Sequence, residues 1–262
     1  MNVSEGRDAS VIAAMRVATG ADLLDIHTDP HHHRTVLTLV GEDAPRRVAT
    51  EAIHRLDLSA HSGAHPRLGV VDVVPFVPLP GAEMPDAVRA RDDFGTWLAG
   101  EHDVPVFFYG PERSLPEIRR DAFRGLTPDV GPAAPHPTAG ATCVGARPAL
   151  IAYNLWLSGI DVGGARAIAS AVRRPGLRAL GLQVGDAVQV SLNLVAPFDL
   201  GPAEAYDLVA GHLTRAASID RAELVGLLPL RALDAIDPDR WAQLDVGPER
   251  TVEARLAARP GS

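Results

Sequence analysis

The chain contains no lysine, and all 25 of its basic residues are arginine. That excludes Schiff-base catalysis by a lysine amine and the phosphate-binding lysine of a P-loop. Cysteine is nearly as scarce. Cys143 is the only one, so no disulfide can form within the chain and an oxidising compartment is not indicated. No run of about 18 apolar residues occurs, so no membrane-spanning helix is expected. The opening segment Met1–Arg7 lacks a basic-then-apolar signal pattern, and a cytoplasmic location is expected. Positive charge is in deficit as well. A net charge of -8 argues against a nucleic-acid binder, which needs a basic surface to neutralise phosphates. Any anionic ligand must be met locally by arginines, whose planar forks suit carboxylates.

What is present is a 262-residue chain of ordinary globular composition, 46% hydrophobic and 22% charged, long enough for one large domain or two modest ones. Its most informative stretch is His61-Ser62-Gly63-Ala64-His65-Pro66-Arg67-Leu68-Gly69, which runs into the apolar segment Val70–Pro78. Glycine lets the backbone fold tightly, and a residue before proline is kept out of the helical region. His65 is therefore expected on extended backbone at the mouth of a buried strand. There its titration near neutrality suits a general acid or base. The competing reading is a turn whose histidines face water.

Hydrophobic spacing predicts helices over 9–19, 44–56 and 86–101, and strands over 2–4, 21–26, 35–40, 70–76 and 104–109. A polar turn loaded with His27, His31, His32 and His33 joins the second and third strands. Proline and glycine then dominate Pro128 to Gly145, which predicts a long loop without regular structure. Beyond it come strands over 149–157, 178–184, 187–195 and 223–230, helices over 163–173 and 202–216, and a polar, peripheral tail after Asp237. The order βαββαβ is that of a ferredoxin-like unit, and the first half shows the same order with an added helix and strand. The expectation is an α+β protein of two ferredoxin-like (βαββαβ-type) sheet-and-helix subdomains, 1–148 and 149–262, with a ligand groove between them.

Several segments together carry a family likeness. They are Asn2-Val-Ser-Glu-Gly-Arg7, Arg34-Thr-Val36, His61-Ser-Gly-Ala-His-Pro-Arg67, Pro128-Asp-Val-Gly-Pro132, His136-Pro-Thr-Ala-Gly-Ala141, Val144-Gly-Ala-Arg147, Ala152-Tyr-Asn154, Gln189-Val-Ser191 and Glu223-Leu-Val-Gly-Leu227. In this order and spacing they resemble the formiminotransferase domain of formiminotransferase-cyclodeaminase over most of the chain. The resemblance implies a two-subdomain transferase with tetrahydrofolate as co-substrate. Such an enzyme moves a formimino group from N-formimino-L-glutamate to N5 of tetrahydrofolate in histidine degradation. It implies His65 as the catalytic histidine. It also implies a folate-binding stretch of Gly131, Pro132, Ala133, Ala134, Pro135, His136, Pro137, Thr138, Ala139 and Gly140.

Substrate contacts are expected from Asn2, His27, Arg34 and Arg147, with Arg67 a weaker candidate for the same carboxylate-binding task. Two positions depart from the family pattern. His27 stands where an acidic residue is expected, with Asp29 as its nearest replacement, and His33 stands where an asparagine precedes Arg-Thr-Val. The chain carries no cyclodeaminase segment, so a separate cyclodeaminase is an expected partner, and a homodimer is the default assembly.

Two rival readings and a weaker third accompany this one. A zinc hydrolase would use His27, His31, His32, His33, His61 and His65, but the glutamate of a His-Glu-x-x-His motif is missing and no metal is expected. A non-catalytic folate-binding homologue would keep the loop and lose turnover. A cysteine nucleophile is weaker still, since a lone small thiol is usually packing.

Overall fold

A computed structural model describes residues 1–62 and 67–259. His65, with Gly63, Ala64 and Pro66, falls outside the described residues. The chain divides into two compact units, Met1–Pro148 and Ala149–Ser262. The class is α+β, a sheet with helices in each unit. Among the described residues no helix is long and apolar enough to cross a membrane.

The first unit runs β1 (Asn2–Val3), α1 (Ala9–Thr19), β2 (Leu23–Asp29), β3 (Arg34–Leu39), α2 (Asp43–Arg55), β4 (Val71–Phe76), α3 (Met84–His102), β5 (Val106–Tyr109), α4 (Leu115–Asp121) and β6 (Thr142–Ala146). Its strands form one sheet in the order β2-β3-β1-β4-β6-β5. The first four pair antiparallel, and β6 lies parallel between β4 and β5. The alternation of strand residues decides which face is core. Val3, Leu37, Val71, Val74, Val106 and Val144 point to one face, where Val11 and Met15 of α1, Val48 and Ala52 of α2, and Phe94 and Leu98 of α3 pack on them. On the opposite face Val73, Phe107, Tyr109 and Cys143 are covered by Ile118 of α4.

Helix starts follow their caps. Asp8 accepts from the Ser10 and Val11 amides ahead of α1, and Ser114 with Glu117 forms a capping box ahead of α4.

Two elements here were not expected. The helix α4 is short and little apolar, and β6 sits inside the stretch expected to be irregular. All five residues of β6 are buried. A strand enclosed on both edges and both faces needs no alternating pattern, so Thr-Cys-Val-Gly-Ala gives no period to read. The first unit therefore carries two helix–strand additions, α3–β5 and α4–β6, where one was expected. His27 also moves, from the predicted turn into β2.

The second unit runs β7 (Ile151–Ser158), α5 (Val162–Val172), β8 (Leu177–Val184), β9 (Ala187–Leu194), α6 (Pro202–Ala210) and β10 (Ser218–Val225). The antiparallel sheet has the order β10-β7-β9-β8. Counted within each unit, the first strand lies between the third and the fourth in both sheets. The predicted last helix was too long, and the last strand starts earlier and stops at Val225, where Gly226 turns the chain at a φ of 84°.

The tail is not peripheral. Three short helices, α7 (Leu230–Asp234), α8 (Trp241–Leu244) and α9 (Val252–Ala257), follow. Leu233, Leu244 and Val246 join the core, and the buried Tyr153 hydroxyl donates to the Leu244 carbonyl at 2.8 Å. Its apolar residues are too widely spaced to show as a periodic run.

Candidate active site

The polar face of the first sheet is organised by an irregularity. Asn2 pairs with Val73 and Val3 with Val71, so Asp72 is an extra residue on β4. Such a bulge re-aims a side chain that alternation would send into the core. Asp72 is 1% exposed, and its carboxylate accepts from the Leu68 amide at 2.8 Å and from both terminal nitrogens of Arg119, at 2.8 and 2.5 Å. Asp72 also acts electrostatically on Arg34 and Arg67. Burial lowers the pKa of Arg34, against the pull of Asp72 and Asp29.

Register fixes the rest of the face. Asn2 pairs with Val36, Val36 with His27, and Arg34 with Asp29, so Asn2, His27, Asp29 and Arg34 share one side. Asp29 does not free itself to replace the missing family carboxylate. It accepts from the His31 and His32 amides, both at 2.8 Å, and pairs with His32 Nδ1 at 2.9 Å. Although burial opposes it, hydrogen bonds from His32 hold the Asp29 carboxyl well below the usual range. Arg147 follows β6 and acts electrostatically on the Met1 amino group, next to Asn2. Its amide bonds the Phe76 carbonyl, its guanidinium reaches the Pro148 carbonyl at 2.9 Å, and burial followed by Tyr109 sets its electrostatics.

Two histidines close one end of the site. His33 adopts a left-handed backbone at a φ of 52°, uncommon for a residue with a side chain. Its ring stacks on His61 at 3.9 Å, with Nδ1 2.8 Å from the Ser62 carbonyl and Nε2 3.1 Å from Glu5 Oε1. His61 Nε2 lies 3.1 Å from the His33 carbonyl, and the Arg67 guanidinium is within hydrogen-bond reach of both His61 ring nitrogens. Burial, Arg67 and His33 push the His61 pKa down, favouring the neutral ring. Burial raises the Glu5 carboxyl, but the amides of Asp8 and Arg7 and the charge of His33 outweigh it and lower its pKa. Glu5, Asp8, His33, Asp57 and His61 line a cavity of about 190 Å³.

The Pro/Gly loop meets the chain on both sides of residues 63–66. Leu58 donates to the Thr138 carbonyl at 2.7 Å, Val70 to that of Ala139 at 3.0 Å, and Ala141 to that of Leu68 at 2.9 Å. Gly69 and Gly140 form a bridge so close that a Cβ on Gly140 would lie 2.3 Å from the Leu68 carbonyl oxygen. His136 turns inward on its own loop, where Nδ1 accepts from the Ala139 amide at 2.9 Å. Residues 131–135 are exposed, whereas Ala139 and Gly140 are buried.

Asn2, His27 and Arg34 are thus brought to one face, and the Pro/Gly loop is hydrogen-bonded to Leu58, Leu68 and Val70. Asp72, Arg119 and Glu5 were missed. Asp72 had a signal, a lone acid inside Val70-Val-Asp-Val-Val74; Arg119 had none. Cys143 is fully buried, and burial pushes its thiol up to about 12, the opposite of an activated nucleophile. Among the described residues no three His, Cys, Asp or Glu side chains gather to hold a metal ion.

The second unit carries its own polar cluster. Glu223 accepts from Asn154 Nδ2 at 3.0 Å and Trp156 Nε1 at 2.9 Å, and Arg221 lies 4.3 Å over the Trp156 ring. Nearby on the sheet, the buried Gln189 amide has no hydrogen-bond partner among the described residues at either polar atom.

Comparison with known proteins gives a consistent answer. The family described as "Formiminotransferase domain, N-terminal subdomain" matches residues 1–147. A glutamate formimidoyltransferase of Streptococcus pyogenes is 32% identical over 88% of this chain and 88% of its own length. One from Thermoplasma acidophilum is 35% identical, with the same coverage of both chains. The formimidoyltransferase-cyclodeaminase of Sus scrofa is 34% identical over 88% of this chain, which matches half of that longer protein.

Proposed function

Because the chain belongs to the formiminotransferase domain family, we propose that it transfers a formimino group from N-formimino-L-glutamate to N5 of tetrahydrofolate. The supporting observation in this chain is the junction of two motifs. The Pro/Gly loop is hydrogen-bonded to Leu58, Leu68 and Val70, on either side of the segment that carries His65, beside a face bearing Asn2, His27 and Arg34.

In the proposed reaction N5 attacks the amidine carbon, and a new N–C bond gives a tetrahedral intermediate. The bond from that carbon to the glutamate nitrogen then breaks. The proton lost by N5 goes to the departing amine, so glutamate and 5-formiminotetrahydrofolate leave with all atoms accounted for. His65 is the shuttle for that proton, a task suited to a group titrating near neutrality. The loop Gly131–Gly140 takes the flat pterin, its low side-chain bulk permitting close approach. Asn2, His27, Arg34 and Arg147 hold the substrates, the arginines through their carboxylates. A separate cyclodeaminase consuming the product, and an isologous homodimer, complete the proposal.

The test is a transfer assay with tetrahydrofolate and N-formimino-L-glutamate, following 5-formiminotetrahydrofolate and released glutamate in equal amounts. Equal, enzyme-dependent formation of both is expected. Binding of tetrahydrofolate without product would refute N-formimino-L-glutamate as the donor and leave a related donor or the non-catalytic reading.

A further inference from the structure

The Pro/Gly loop closes on itself around one imidazole. His136 and Gly140 exchange both main-chain bonds, the His136 amide donating to the Gly140 carbonyl at 2.8 Å and the Gly140 amide to that of His136 at 3.0 Å. Of the three residues between them, Pro137 has no N–H to satisfy. The other two amides, of Thr138 and Ala139, both donate to His136 Nδ1, at 3.3 and 2.9 Å. Thr138 Oγ1 lies 3.5 Å from the same nitrogen. The carbonyls of these two residues serve the neighbouring chain. That of Thr138 accepts from Leu58 and that of Ala139 from Val70, on either side of the segment that carries His65. Ala139 is 1% exposed, so its amide is shielded from solvent and depends on the ring.

A ring nitrogen that accepts two N–H groups bears no proton. The loop is therefore built on a neutral His136 ring whose proton is on Nε2. A second proton, on Nδ1, would face both amide hydrogens and undo the two bonds. The charged and titratable groups of the packed segments are engaged with other partners. Asp57 accepts from the Ser59 amide at 2.9 Å, Arg67 reaches His61, and Asp129 on the loop's stem pairs with Arg113 at 2.7 Å. His102, the last residue of α3, lies 3.1 Å from Thr50 Oγ1 and is acted on electrostatically by His54, Glu101 and His136.

We propose that His136 is a positioning residue whose neutral ring holds the Thr138 and Ala139 peptides where they tie the Pro/Gly loop to the segment carrying His65. It acts through those two peptides, and acid releases them. The cost of that release in tetrahydrofolate affinity rests on the formimino-transfer reading, whereas the state of the ring and of the loop does not.

The experiment joins two readouts on the full chain. At about pH 8, where histidines are neutral, nitrogen NMR of the imidazole is expected to show Nδ1 of His136 unprotonated, and hydrogen exchange to show the Ala139 amide protected. His136→Leu should cut that protection, and the affinity for tetrahydrofolate in calorimetric titration, each by about tenfold. His136→Asn should restore most of both losses, because an asparagine oxygen accepts from the amides that follow it in the same way. Asparagine does not titrate. Between about pH 8 and about pH 5.5 the wild type should therefore lose at least about threefold more tetrahydrofolate affinity than His136→Asn. A proton on Nδ1 at the higher pH, or wild-type protection of the Ala139 amide in His136→Leu, would overturn the assignment. Should His136→Leu not fold, the acid loss of Ala139 protection in the wild type, beyond that in His136→Asn, is read instead, and its absence overturns the assignment equally. A loosened loop with tetrahydrofolate affinity unchanged would overturn the positioning role. No tetrahydrofolate binding by the wild type, with ring and amide as expected, would remove the transferase reading and leave the hold of His136 on the loop standing.

Discussion

In the first unit the fourth strand, β4, bulges at Asp72 against β1; in the second, β10 bulges at Asp220 against β7, the same place in the same strand order. Both extra residues are aspartates, and their surroundings differ completely. Asp72 is buried, its carboxylate taken by Arg119 and the Leu68 amide. Asp220 is exposed and accepts from the hydroxyls of Ser158 and Ser218. The cause is the extra chain of the first unit. Strand β6 pairs on the outer edge of β4, and α4 covers that end of the face with Arg119, while β10 remains an edge strand of a four-stranded sheet. A shared backbone device thus becomes a charge-organising centre only where a further layer of chain encloses it.

The sharpest way to break the comparison is to delete each aspartate. Asp72→Ala leaves the partly buried Arg119 without its counter-ion, and a loss of about 3–5 kcal/mol is expected from urea unfolding. Asp220→Ala should stay within about 0.5 kcal/mol. Equal losses would show that enclosure does not distinguish the bulges.

A smaller effect is expected where Gly69 meets the Pro/Gly loop. A Cβ at Gly69 would lie 2.3 Å from the Ala141 carbonyl oxygen and 2.6 Å from that of Ala139, whereas at Gly100 it would meet nothing within 4 Å. Gly69→Ala should therefore cost about 1–3 kcal/mol by overpacking, against less than about 1 kcal/mol either way for Gly100→Ala. Wild-type stability in Gly69→Ala would mean that the two segments are not in contact.

The smallest effect concerns pH. Burial and Arg67 depress the folded-state pKa of His61 below the ordinary 6.5, so the unfolded chain binds the proton more readily. The stability from this group is fully present above 6.5 and is lost as pH falls through the lower, folded value. His61→Gln should flatten the decline of stability with acid over that interval, as followed by thermal melts. An unchanged slope would contradict the lowered pKa of His61.

The sequence displayed the elements with a period and hid those without one. Ala9–Thr19 and Ile151–Ser158 were legible because apolar residues recur at the spacing of one buried face. The strand β6 was hidden because its neighbours enclose it on every side. The docking of Leu244 and Val246 depends on contacts far away along the chain. Among site residues, Asn2, His27 and Arg34 could be named from motifs, and their common face follows from the β1–β3 and β2–β3 registers. Arg119 could not be named, since its role exists only through a bulge some 47 residues earlier.

The most direct test is kcat for formimino transfer in His65→Ala, measured beside its affinity for tetrahydrofolate. The account predicts a fall of about 10²–10⁴-fold in kcat with tetrahydrofolate binding retained, as for loss of a positioned proton shuttle. A variant that turns over at the wild-type rate would contradict it.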